Sequence, residues 1–187
     1  MEILDINKIY VLICRRKFRF FDYKCYVGII IRLWQKFPAE HVSFMFFENN
    51  RWMVAEATTG KVKITPADNW IQFSNWYAFV FESVYDQYQK NKMIEYAFEC
   101  EGKVKYDFLG LIWMAVYIKK KIWLGRKSNQ HQRQFCSEFY FNAKGIEGAQ
   151  YKSIKDAYLS ATHNLGCLAN IEREKAFIVS KYLPTWQ

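Results

Sequence analysis

The sequence has few of the residues that interrupt regular structure, with eight glycines and three prolines among 187 residues. It contains no internal repeat and no low-complexity linker. Hydrophobic residues make up 51% of the chain, which is typical of a globular protein, and this length can bury a core without disulfides or metals. We therefore expect one domain over residues 1–187.

Cysteines are few, and their spacing is irregular. There are five, an odd number without a CxxC pair or zinc-like spacing: Cys14, Cys25, Cys100, Cys136 and Cys167. This pattern argues against a disulfide framework and favours a reducing compartment, with Cys14, Cys25 and Cys100 as structural thiols. The sequence also lacks an HExxH motif and a phosphate-cradling glycine loop, so we expect neither a metal nor a cofactor.

Long hydrophobic runs are missing as well. The longest apolar stretch, FLGLIWMAVYI at 108–118, is too short for a bilayer span, and the first residues lack the order of a signal peptide. We expect a soluble cytoplasmic protein, with delivery by a phage or virion as the alternative for a role outside the cell.

The charge balance is strongly basic, with a net charge of +9. Short basic–aromatic clusters occur at 15–21 (RRKFRFF) and 118–127 (IKKKIWLGRK). They favour contact with an anionic partner such as nucleic acid or an acidic lipid surface. A lysine-rich solvated surface explains the same charge equally well.

The order of strand and helix patterns predicts an α+β fold. Apolar, β-branched runs predict strands at 8–16, 41–47, 52–58, 62–65 and 76–81, with a last strand at 176–183. Helices are predicted at 26–37, 84–101, 105–121, 135–145 and 153–162. In the first helix, Ile30, Leu33, Trp34 and Phe37 recur at helical spacing. We expect a small, mostly antiparallel sheet packed against helices.

The hairpin formed by the second and third strands places a histidine near a glutamate. A turn centred on Asn49 and Asn50 makes His41 and Glu56 diagonal neighbours, about 7–8 Å apart at the backbone. A glutamate there holds the imidazole in one tautomer and favours its charged form. The alternative is a half-exposed histidine and a glutamate that points to water, although apolar residues on both faces make a free carboxylate costly.

Cys136 follows a polar loop and precedes an aromatic helix, which places it in the first helical turn. The unpaired N–H groups and the dipole of that turn lower the pKa of a thiol and favour an oxyanion beside it. A cysteine at a helix start can equally be part of a core. A nearby imidazole would make it a nucleophile with a base.

Four segments, taken in order, resemble a known family. They are AEHVSFMF (39–46), VAEATTGKVKI (54–64), YDFLGLI (106–112) and FCSEFYFNA (135–143). They are similar to the circularly permuted NlpC-type papain-like cysteine hydrolases, above all the YiiX-like branch, with lecithin retinol acyltransferase as a more distant relative. In permuted members the sheet comes first and the cysteine helix last, as it does over residues 8–160 here.

The resemblance implies a permuted papain-like fold with the nucleophile at a helix N-terminus. It implies Cys136 as the nucleophile, His41 as the base and Glu56 as the carboxylate that orients the base. Tyr106, in the YD pair before the cysteine, is implied as a residue that lines the site or helps to bind the oxyanion. Asp107, the second residue of the YD pair, can also be interpreted as a helix cap.

Some features depart from the family pattern. The chain lacks a GD-type turn before the first strand, and it has HVSF where members often have HVGI, so that Phe44 would narrow the pocket. The loop before Cys136 is long and basic. His131 in that loop is an alternative base, and His163 is expected at the surface or at a helix end.

Two classes of function remain open on this basis. The first is a cysteine-dependent hydrolase or acyltransferase of amide or ester bonds, acting on a lipid-linked or peptidoglycan-derived substrate. The second is a non-catalytic module on the same fold that binds lipid or nucleic acid through the basic–aromatic clusters.

Overall fold

A computed structural model describes residues 4–16, 20, 23–58, 60–73, 76–83, 85–120, 132–163 and 177–178. Strands and helices are mixed along the chain. In chain order they are β1 (Ile9–Arg16), α1 (Tyr23–Gln35), β2 (His41–Glu48), β3 (Arg51–Ala57), β4 (Val62–Pro66), α2 (Ala67–Phe73), β5 (Trp76–Ser83), α3 (Gln87–Cys100), β6 (Lys105–Tyr106), α4 (Phe108–Lys120), β7 (Arg133–Gln134), α5 (Cys136–Ala143), a 3-10 helix (Ala149–Tyr151), α6 (Ile154–His163) and β8 (Phe177–Ile178).

The main sheet has six strands in the order β4-β3-β2-β1-β5-β8, and every neighbouring pair is antiparallel. A separate two-stranded parallel sheet joins β6 to β7. The predicted α+β class, with a mostly antiparallel sheet packed against helices, is confirmed.

Both faces of the main sheet are covered, which explains why its strands are apolar on both sides. One face carries Val11, Phe44 and Phe46 and packs against the helices α3, α5 and α6. The Phe44 ring stacks on the Phe139 ring of α5 at 5.6 Å between centroids. The opposite face carries Leu12 and Met45 and is covered by α2. Side chains that alternate along each strand therefore enter two separate apolar layers.

The β2–β3 hairpin has the register that its turn predicts. Asn49 and Asn50 both have positive φ, at 51° and 60°, as a two-residue turn of the primed type requires. Glu48 pairs with Arg51, and the ladder continues to Phe44 opposite Ala55. The turn thus fixes which residues of the two strands lie side by side.

Several predicted elements differ from the structure at their ends. Helix α4 begins at Phe108 rather than at residue 105, because Lys105 and Tyr106 pair with Arg133 and Gln134. Helix α3 begins after Asp86, whose side chain accepts a hydrogen bond from the Gln89 N–H. Helix α2 was not predicted, because its seven residues are too few to show a helical period. Of the predicted last strand only Phe177–Ile178 is described.

Gly145 was predicted to end the helix that carries Cys136. The helix ends at Ala143, and Gly145 has a φ of +71°, a conformation that glycine adopts without strain. Within the described ranges, no helix is both long and apolar enough to span a bilayer.

Candidate active site

His41 is the first residue of β2, and its imidazole is hydrogen-bonded to the Glu56 carboxylate on β3. His41 Nε2 lies 2.8 Å from Glu56 Oε2, and both residues are buried. The register explains the contact, since continued alternation from the Phe44–Ala55 pair puts His41 and Glu56 on one face. The diagonal placement expected from the hairpin is present.

The second partner of the His41 imidazole is the thiol of Cys136, the first residue of α5. Alternation assigns the His41 side chain to the face that α2 covers, whereas α5 packs against the opposite face. Since His41 is the first residue of its strand, its ring lies at the end of the sheet, where it can reach both layers. Cys136 therefore lies close enough to act on the imidazole that Glu56 holds.

The electrostatics of this site favour charged partners. Burial, the largest influence, lowers the pKa of His41, but hydrogen bonds to Cys136 and Glu56 outweigh it and raise the pKa from 6.5 to about 10. Burial raises the pKa of Glu56, yet the hydrogen bond to His41 outweighs it and leaves the pKa below its ordinary value. At neutral pH the site therefore holds an imidazolium between a carboxylate and a sulfur.

The start of α5 suits a negative charge. Phe135 precedes the helix with extended backbone torsions and makes no side-chain cap. Backbone N–H groups in a first helical turn have no acceptor within the helix, and the helix dipole adds partial positive charge there. Both effects favour an oxyanion held next to the first residue of the helix.

Tyr106 reaches the same thiol from another element. It pairs with Gln134 in the β6–β7 ladder, and Cys136 follows two residues later. Burial, followed by its interactions with Cys136, raises the pKa of the Tyr106 hydroxyl well above its ordinary value. Tyr106 is thus a neutral hydrogen-bonding partner of the thiol, and Asp107 next to it caps α4 by accepting from the Gly110 N–H at 3.0 Å.

Trp70 on α2 approaches the site from the remaining side, and sequence reasoning missed it. After burial and His41, the Trp70 indole N–H is the next influence on Glu56, and it lowers the pKa of that carboxyl. The buried Nε1 makes no hydrogen bond of ordinary geometry with any described residue. The N–H therefore faces the carboxylate as a dipole that favours its charged form.

Glu40, the neighbour of His41, is a second residue that sequence reasoning missed. Its buried carboxylate accepts a hydrogen bond from the Arg16 backbone N–H at 2.7 Å and from Arg32 Nη1 at 3.1 Å. Gly28 leaves room for it, because a Cβ there would lie 2.7 Å from Glu40 Oε1. An isolated glycine in an apolar helix was the available signal. The carboxylate ties β1 and α1 to the strand that begins with His41.

Phe44 does not narrow a pocket as the sequence suggested. It is fully buried between the sheet and α5, where its ring contacts Phe139. Cys14 lies opposite His41 in the β1–β2 ladder, and burial raises the pKa of its thiol well above the ordinary value. Cys14 is thus a neutral thiol close to the site, and it keeps the structural role predicted for it.

Other predicted residues lie outside this cluster. Cys100 is buried on α3 with a free thiol, and His163 is the last residue of α6. His131 and Cys167 lie outside the described residues. Across the described ranges, no group of three or more His, Cys, Asp or Glu side chains is arranged to hold a metal ion.

Comparison with known proteins finds similarity among solved structures. No protein-family model matches the chain, and no curated protein matches it. Among solved structures, it is similar to the crystal structure of metalloprotein YiiX from Escherichia coli O157:H7, with 21% sequence identity and a TM-score of 0.48. The similarity covers 75% of this chain and 67% of YiiX. The resemblance to YiiX is confirmed, whereas the circular permutation and the relation to lecithin retinol acyltransferase stay predictions.

Proposed function

We propose that the protein is a cysteine-dependent hydrolase of amide or ester bonds. The observation that carries this proposal is the buried chain in which Glu56 holds His41 at 2.8 Å and His41 bonds the thiol of Cys136. A nucleophile, a base and a residue that orients the base are the parts that such catalysis needs.

The first step forms an acyl-enzyme. The Cys136 thiolate attacks the carbonyl carbon and forms a C–S bond, while the carbonyl electron pair moves to oxygen. The backbone N–H of Cys136 and the Tyr106 hydroxyl donate to this oxyanion. The His41 imidazolium then gives its proton to the leaving amine or alcohol, and the C–N or C–O bond breaks.

The second step releases the acyl group. Neutral His41 takes a proton from water, the resulting hydroxide attacks the thioester carbonyl, and the C–S bond breaks to give a carboxylic acid and the Cys136 thiolate. If another nucleophile replaces water, the same step is an acyl transfer. Glu56 keeps the imidazole in position through both steps.

The site residues require a substrate with a carbonyl group that a thiolate can attack. Lipid-linked and peptidoglycan-derived amides or esters both fit it. A panel of fluorogenic acyl esters and peptide anilides, with acyl chains of increasing length, distinguishes the two.

The test is turnover on that panel, combined with intact-protein mass spectrometry for a trapped acyl-enzyme. We expect wild-type protein and the buried-thiol control Cys100→Ala to turn over at least one ester, whereas Cys136→Ala and His41→Ala lose it. The acyl adduct should map to Cys136. Turnover that survives Cys136→Ala would refute the proposal, and no adduct on any substrate would favour the non-catalytic binding module.

A further inference from the structure

Exposed apolar side chains are concentrated on two helices. Among the described residues, thirteen large hydrophobic side chains are exposed, and eight of them lie on α1 or α4. They are Tyr26, Val27, Ile30, Leu33, Trp34, Phe108, Leu109 and Ile112. We call these eight residues the α1–α4 surface. Single exposed apolar residues are normal, but a cluster of this size marks an interaction site.

The α1 residues form one continuous stripe. At 100° per residue, the five from Tyr26 to Trp34 fall within an arc of about 120° on the helix, with no polar residue between them. The buried Gly28, Ile31 and Gln35 lie on the other side, toward the core. Helix α1 thus presents one apolar face to the protein and a second one to solvent.

Helix α4 continues the surface. Phe108, Leu109 and Ile112 share one exposed side of the helix. A shallow groove between the two helices is lined by Trp34 from α1 and by Leu111 and Met114 from α4. Among the residues that line this groove only Trp34 is exposed, so Trp34 is where the exposed stripe of α1 meets α4.

The charge in and around these two helices is mostly basic. Helices α1 and α4 contain four Lys or Arg residues and no Asp or Glu. One of the four, Arg32, is paired with the buried Glu40, and one aspartate directly precedes each helix. The exposed Lys36 directly follows α1, and basic clusters flank both helices in the sequence, at 15–19 and 119–121. A protein partner of ordinary composition does not require this bias, whereas anionic lipid headgroups do.

We propose that the α1–α4 surface docks on an anionic lipid membrane. The apolar side chains enter the boundary between headgroups and acyl chains, and the cations around them contact lipid phosphates and carboxylates. Trp, Tyr and Phe, which contribute three of the eight residues, are suited to this boundary because their rings are large and polarisable.

The docked orientation brings the candidate active site to the lipid. The ring of Phe108 contacts the ring of Tyr106 at 4.8 Å between centroids, and Tyr106 is a partner of Cys136. Amides or esters carried at the membrane surface would therefore lie beside the site. This consequence rests on the proposed function, but docking itself does not.

The test is flotation of the full chain with vesicles of phosphatidylcholine alone or phosphatidylcholine mixed with phosphatidylserine. It uses wild type, Leu33→Glu and Leu109→Glu, with Tyr88→Glu as the control because Tyr88 is similarly exposed, at 65% against 71% for Leu33, but lies on α3. Circular dichroism and a thermal melt verify the fold of each variant. The same series on a Cys136→Ala background separates docking from turnover.

We expect wild type, Cys136→Ala and Tyr88→Glu to float with the phosphatidylserine vesicles and much less with phosphatidylcholine alone, with a loss of binding at high salt. Each of Leu33→Glu and Leu109→Glu should weaken binding by about tenfold or more. Equal binding by all variants, or no binding by wild type, overturns the proposal. A change of oligomeric state in Leu33→Glu without vesicle binding by wild type would instead make the surface an interface between copies.

Discussion

At the residue scale, the state of His41 decides what the site can do. A histidine buried without partners would be neutral, because burial disfavours its charged form. Here Glu56 and Cys136 bond the same ring, and its pKa rises to about 10. The proton that a leaving group needs is therefore present on His41 throughout the neutral range.

Replacement of Glu56 by Gln tests this arrangement. The variant keeps the side-chain size but removes the carboxylate that helps to raise the pKa of His41, so the His41 titration seen by NMR should move to lower pH. Activity on any substrate identified for wild type should fall by about a hundredfold or more. The exposed carboxylate of Glu95 provides the control Glu95→Gln. An unchanged His41 titration would contradict the role of Glu56.

The contribution of His41 and Glu56 to the unfolding free energy depends on pH, and the Glu56→Gln variant tests this dependence. The raised pKa of His41 contributes stability that is full below about 6.5 and is lost as pH rises through about 10. The lowered pKa of Glu56 contributes stability above about 4.5 that is lost as pH falls. The difference in unfolding free energy between wild type and Glu56→Gln should therefore be largest from about pH 4.5 to 6.5, as measured by urea unfolding.

The pairing of His41 with Glu56 could be predicted because it depends on a local turn. Asn49 and Asn50 set the register, and the register sets the diagonal neighbours. The parts played by Glu40 and Trp70 could not be predicted in this way. Each contacts the site through packing between elements that are distant in the chain, and a lone Trp or a Glu beside a His has many other uses.

At the element scale, the end of α1 is fixed by Glu40. Glu40 directly precedes His41, and its carboxylate accepts hydrogen bonds from Arg32 of α1 and from Arg16, the last residue of β1. Burial raises the pKa of Glu40, while the Arg16 N–H and Arg32 lower it. The position of the base therefore depends on how closely α1 approaches, which Gly28 permits.

Gly28→Ala should show this dependence. In an exposed helix this change stabilises by about 1 kcal/mol, but here the new Cβ would lie 2.7 Å from Glu40 Oε1. We expect a loss of roughly 1–3 kcal/mol in unfolding free energy, together with slower alkylation of Cys136. In a Glu40→Ala background the same substitution should be neutral or stabilising. A loss of the same size in both backgrounds would show that the two residues are not coupled.

The stripe in α1 shows what periodicity can predict. Ile30, Leu33 and Trp34 recur at helical spacing and correctly predicted a helix, but all three face solvent. Helical periodicity predicts that one side of a helix is apolar, but it does not predict whether that side faces the core or the solvent. The buried side is formed by small and mixed residues such as Gly28 and Gln35, which carry no periodic signal.

At the scale of the whole molecule, the site joins two layers that the sheet separates. His41 and Glu56 belong to one face of the sheet, and Cys136 arrives with α5 on the other. The stack of Phe44 on Phe139 and the pairing of β6 with β7 hold α5 at the end of the sheet. The order of the longer strands and helices was predictable from the sequence, whereas α2, β6 and β7 were not predicted. This meeting point was reached only through the family resemblance, because long-range packing leaves no local pattern.

The central claim is that Cys136 is a nucleophile activated by His41, and site-resolved alkylation tests it most directly. Iodoacetamide labelling is followed by mass spectrometry from acidic to alkaline pH in wild type and His41→Ala. Cys14 and Cys100 provide internal controls, because both are buried free thiols whose pKa burial raises. Labelling in denaturant shows that all three can be modified.

We predict that Cys136 of the wild type reacts well below neutral pH and much faster than Cys14 and Cys100, and that His41→Ala removes this difference. If Cys136 reacts as slowly as Cys14, or equally fast without His41, the account of the active site is wrong.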